Sequence, residues 1–117
     1  MRALVILLLL IPGPWLAAEE SSGRQVDFGL KVAQKGLWQE ARFRFERAVQ
    51  LDPGNAAALN DLAVALEQMG EFAEARKAYE KALELKPGDI YIQQNYDLFR
   101  EADDKRNRKS RKKKAQP

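Results

Sequence analysis

Apolar residues recur at three- and four-residue spacing over most of this chain, the period of helices that bury one face. Between 56 and 69, Leu59, Leu62, Ala63 and Leu66 form a single stripe, and Gly70 ends it as a residue able to take left-handed dihedrals. Phe72, Ala75, Tyr79, Ala82 and Leu83 form the next stripe, which Pro87-Gly88 stops. Asn55 and Asp89 each follow a Pro-Gly pair, where an N-cap side chain satisfies free N–H groups of the next helix. The pattern predicts helices at about 22–35, 38–51, 56–69, 72–85 and 90–105, and an all-α fold.

The stripes repeat. A shift of 34 residues superimposes Gly36 on Gly70, Ala41 on Ala75, Ala48 on Ala82, Leu51 on Leu85, Pro53 on Pro87 and Gly54 on Gly88. The same shift pairs Asp27 with Asp61, Gln34 with Gln68, Glu40 with Glu74, Arg42 with Arg76 and Glu46 with Glu80. A fixed period of this length marks stacked helix pairs, each too small to bury its apolar face alone. Ala41, Ala48, Ala75 and Ala82 let paired backbones approach closely, and Phe45 or Tyr79 fills the space beside them.

This arrangement resembles the tetratricopeptide repeat. Its signature residues match as Gly29, Ala41, Phe45, Ala48 and Pro53 in a first unit. In a second they match as Leu59, Leu62, Ala63, Leu66, Ala75, Tyr79, Ala82 and Pro87. The resemblance implies a right-handed α-solenoid of two helix pairs, 22–55 and 56–89, plus a capping helix at 90–105. The first unit departs at Gln25, where a large apolar residue is usual, so its opening helix is expected to fray. On the last helix, Ile92, Tyr96 and Phe99 share one face and should cover the second unit. Ile90, Tyr91 and Leu98 lie off that line, either widening the buried stripe or forming surplus apolar surface for another chain.

The resemblance also implies a function, since first helices of such repeats line a concave groove that binds a segment of another protein. Carried over, the groove would present Val26, Asp27, Leu30, Ala33 and Gln34, then Asn60, Asp61, Val64, Glu67 and Gln68. The last helix would add Gln94, Asn95, Leu98 and Glu101. These positions include Asp27, Asp61, Glu67 and Glu101 and no Lys or Arg, so an acidic ligand tail would meet like charge. A neutral, apolar or basic segment is the expected occupant.

Charge separates the chain into zones that the net value of +3 conceals. All 17 acidic residues lie between 19 and 104, whereas Lys105, Arg106, Arg108, Lys109, Arg111, Lys112, Lys113 and Lys114 crowd the end. Such a block repels itself, and 105–117 is expected to be a disordered basic tail after a folded domain at 19–104. It suits a polyanion: an anionic polymer, acidic lipid headgroups, nucleic acid or an acidic protein. With no aromatic interleaved, it lacks the means to stack on bases, which argues against sequence-specific nucleic-acid reading.

The first eighteen residues belong to neither zone. Met1-Arg2 precedes an apolar run from Ala3 to Ile11, then Pro12-Gly13-Pro14, Trp15-Leu16-Ala17-Ala18 and the acidic Glu19-Glu20. A charged start, a short apolar centre and small residues before a polar segment are the layout of a secretory signal, with cleavage expected after Ala18. The alternative is an uncleaved N-terminal anchor. Export to a periplasmic or extracellular space follows from the first reading.

Chemistry is sparse. Histidine and cysteine are both 0, which removes disulfides, thiol nucleophiles and the commonest proton-transfer group. The glycines at 54 and 88 belong to helix breaks, and Asp103-Asp104 has no evident pocket to desolvate it. Neither a metal nor a cofactor motif is present, so a non-catalytic binding module is expected.

Overall fold

The computed structural model describes residues 20–117. The expected signal segment and its cleavage site lie outside the described residues. Five helices follow one another: α1 (Ser22–Gln34), α2 (Trp38–Leu51), α3 (Ala56–Gln68), α4 (Phe72–Leu85) and α5 (Ile90–Lys114). Among the described residues there is no strand, and no helix is long and apolar enough to cross a membrane.

The caps follow from side-chain chemistry. Asn55 Oδ1 accepts from the Ala58 N–H at 3.0 Å, and Asp89 Oδ1 from the N–H groups of Tyr91 and Ile92. Gly36 and Gly70, with φ of 75° and 77°, reverse the chain after α1 and α3, a conformation that costs glycine little. These short turns make α1/α2 and α3/α4 antiparallel pairs. The opening helix is better anchored than Gln25 suggested. Ser21 caps it, the Ser22 hydroxyl donates to the Ala48 carbonyl at 2.8 Å, and the Asn55 amide donates to that hydroxyl at 2.9 Å.

Successive helices pack on one another, α1 also touches α3 and α3 touches α5, while the Arg42–Glu74 ion pair at 3.7 Å links α2 to α4. The chain is an all-α solenoid of two helix pairs plus a terminal helix. Helices α1, α3 and α5 therefore form the inner layer, and α2 and α4 the outer one.

Alanine sets the close approaches: Ala41, Ala48, Ala63, Ala65, Ala75 and Ala82 are all fully buried. At Gly29 even one methyl would be too large, because a Cβ there would lie 2.5 Å from Phe45 Cε1. Phe45 is fully buried and cannot swing aside without opening the α1/α2 core.

The terminal helix seals the second pair through Ile92, Tyr96 and Phe99, as the spacing predicts. Tyr79, Tyr96 and Phe99 form a ring cluster with centroids 5.4–6.4 Å apart, a separation at which tilted aromatic pairs attract. By contrast, Ile90, Tyr91 and Leu98 are 72%, 73% and 62% exposed, so they do not widen the buried stripe.

The basic segment departs from expectation. It is helical through Lys114 rather than disordered from 105. Lysine and arginine are good helix formers, and cations are favoured at a helix C-terminus, where Arg111 to Lys114 make up the last turn. The helix also carries momentum from the folded body. Asp103, only 8% exposed, bridges Arg76 of α4 at 2.7 Å and Arg106 of its own helix at 3.1 Å. The Arg106 guanidinium lies 3.5 Å from the Phe72 ring centroid, close enough for a cation–π contact. Arg106 thus belongs to the α4/α5 seam rather than to the free cations of the tail. The Arg76 and Arg106 guanidinium groups also hold the Asp103 carboxyl below its ordinary value, so this acid is desolvated after all, but paired.

Candidate functional site

On the inner layer, between α1, α3 and α5, lies a depression of about 310 Å³. Leu30, Ala33 and Gln34 of α1 form one side, Asn60, Asp61 and Val64 of α3 the other, and Asn95 of α5 closes one end. Trp38 and Phe45 of α2 complete the lining. The lining is mostly apolar, with three amide side chains and a single charged one.

Helical spacing explains why these side chains converge. Leu30, Ala33 and Gln34 lie three and four apart on α1, as do Asn60, Asp61 and Val64 on α3, so each set shares a face. Asn95 Nδ2 donates to Asn60 Oδ1 at 3.2 Å and ties α5 to α3 across the rim.

Asp61 is the electrostatic feature of the site. It forms no salt bridge within the described residues, and burial pushes its carboxyl up to about 6, opposed in part by the Asn60 amide. Nearby, the Tyr79 hydroxyl donates to Glu67 Oε2 at 3.0 Å. Burial, the Glu67 carboxylate and Asp61 together push the Tyr79 phenol well above its ordinary range.

Of the groove positions expected from sequence, Leu30, Ala33, Gln34, Asn60, Asp61, Val64 and Asn95 come together here. Asp27, Gln68 and Gln94 are exposed and stand outside the lining, as do Leu98 and Glu101. Glu67 is engaged by Tyr79 in the α3/α4 seam. Trp38 and Phe45 come from α2 of the outer layer, which the helical faces of α1 and α3 do not reveal. Gly29 stands where the second unit has Ala63, and its missing side chain leaves room for the Phe45 ring behind the hollow.

No group of acidic residues that could hold a metal ion occurs among the described residues. The geometry is that of a helical-repeat scaffold with an open, ligand-sized hollow on its inner face. The family model for the tetratricopeptide repeat matches residues 33–94, and the chain belongs to that family. The fold is similar to the TPR domain of Sgt2 from Aspergillus fumigatus, with a TM-score of 0.71 at 20% identity, covering 76% of this chain and 60% of that one. It is also similar to the MamA protein, with a TM-score of 0.67 at 29% identity, covering 76% of this chain and 49% of that one. The match thus spans 60% of the first structure and 49% of the second. No curated protein sequence matches it. A scaffold of this family works by binding other proteins, and the family is typically non-catalytic.

Proposed function

We propose that this chain is an exported adaptor that holds a segment of another protein in the hollow between α1, α3 and α5. The observation that carries this reading is the hollow itself: apolar side chains of Leu30, Val64 and Trp38 flanked by the amides of Gln34, Asn60 and Asn95. Such a lining buries apolar side chains while offering hydrogen bonds to a ligand backbone.

A second reading rests on the basic end of α5, where Lys105 flanks the seam and Arg108, Lys109, Arg111, Lys112, Lys113 and Lys114 extend the helix beyond it. There a polyanion such as an anionic polymer or lipid surface supplies the partner, and the hollow is secondary. Salt and truncation separate the two. Capture of partners from the native compartment should survive deletion of 105–117 and moderate salt if the hollow binds, and should be lost with both if the tail does.

Asn60→Ala supplies the complementary arm. It loses the bond to Asn95 but gains helix propensity, so stability should change by less than about 1 kcal/mol. Affinity for a partner held in the hollow should fall roughly five- to hundredfold, the effect of leaving a ligand group unpaired. Unchanged affinity moves the binding surface elsewhere.

Export rests on the N-terminal pattern of residues 1–18. N-terminal sequencing of the exported protein should read from Glu19; an intact Met1 replaces the cleaved signal with a retained anchor.

A further inference from the structure

We infer that the hollow is a receptor for one cationic side chain, a lysine or arginine of the bound segment, with Asp61 as its counter-ion; this rests on the proposal that the hollow holds a protein segment.

Among the described residues of the lining, Asp61 is the one that carries a charge. Among the described residues, each salt bridge joins residues other than Asp61. The Tyr79 phenol of α4 senses its charge, and Tyr79 in turn donates to Glu67, which carries the same sign. A carboxylate partly withdrawn from water with no cation beside it is costly to keep, and replacing it with a neutral amide of the same shape would remove that cost. The paired Asp103 shows the contrast: it too is covered, but two guanidinium groups compensate it.

The surroundings suit the rest of a basic side chain. Leu30, Val64 and Trp38 offer apolar surface to a methylene stem, and the amide oxygens of Gln34 and Asn95 offer neutral acceptors beside the carboxylate. No cation of the same molecule reaches the site from the tail. Helix α5 is continuous from Asn95 at the rim, so Lys105 starts about 15 Å further along the axis and Lys114 about 28 Å. A cation from this basic segment could reach the hollow only on a second molecule.

The test uses the full chain and a displayed library of random twelve-residue peptides. Selected peptides are synthesised with their basic residue intact or replaced by norleucine, and each is titrated against wild type, Asp61→Asn and Leu30→Gln. The inference predicts a lysine or arginine among apolar residues in the selected peptides. Norleucine should weaken binding to wild type roughly ten- to hundredfold and leave binding to Asp61→Asn almost unaffected. A synthetic 105–117 peptide that binds with the same Asp61 dependence identifies the occupant as a second copy's tail and supports the inference. Equal norleucine losses in wild type and Asp61→Asn overturn it. If those peptides are still weakened by Leu30→Gln, the hollow remains the binding site; insensitivity to both variants, or a selection without binders, overturns the underlying reading as well.

Discussion

Phe99→Ala should lower unfolding free energy by about 3–5 kcal/mol, the usual cost of truncating a buried phenylalanine and leaving a cavity. Phe99 is fully buried, its ring centroid lies 5.4 Å from that of Tyr79, and the Arg76 guanidinium sits 5.5 Å from it. The effect should be at the upper end of that range because the described residues form a small array of two helix pairs. Repeat arrays below about three units lack stabilising neighbours, and α5 provides the missing cover. Loosening α5 also carries Asn95 away from the rim of the hollow, so binding should fall with stability. Urea denaturation followed by circular dichroism measures the first effect. A loss below about 1 kcal/mol would mean that α5 adds little to the fold.

The second large effect is a pH dependence with an uncommon sign. In the folded chain the Asp61 carboxyl titrates at about 6 against an ordinary value of 3.8, because burial disfavours its charged form. Between those values the folded protein holds a proton that the unfolded chain has released. The contribution of Asp61 to stability is therefore most favourable below pH 4 and declines as pH rises through 6, by up to about 3 kcal/mol. Asp103 acts oppositely and in a lower window. Its carboxyl is held below the ordinary value by Arg76 and Arg106, so its contribution is present at neutral pH and lost in acid. Asp61→Asn isolates the first effect. At pH 7.5 the variant should exceed wild type by up to about 3 kcal/mol, and at pH 4 the two should nearly coincide. A difference of equal size at both pH values contradicts the assignment.

A variant that gains stability while losing a ligand is the behaviour expected of a residue retained for binding. That combination links the pH experiment to the peptide experiment, although each reads a different property.

The helices were legible because their signals are local. Proline-glycine pairs, cap residues and a 34-residue period act within a few positions or repeat themselves, and α1 to α4 follow them closely. The end of α5 was not, since composition alone emphasised repulsion among the cations. It omitted the Arg76–Asp103–Arg106 bridge and the Phe72 contact, which join residues far apart in sequence. The hollow was legible where it follows helical faces, as at Leu30, Gln34, Asn60, Asp61 and Val64. Glu67 lies one turn beyond Val64, yet Tyr79 draws it into the α3/α4 seam. The ring of Phe45 has room behind the hollow because position 29 carries no side chain, a relation between two helices that neither stripe reveals.

Site-specific photo-cross-linking tests the central claim most directly. A benzophenone amino acid at Leu30, on the wall of the hollow, is compared with one at Lys112 near the end of α5, each in the full chain within its native compartment. Protein adducts should form at position 30, and Asn60→Ala should diminish them. Adducts confined to position 112, with none at 30, would contradict the claim that the inner hollow holds the partner.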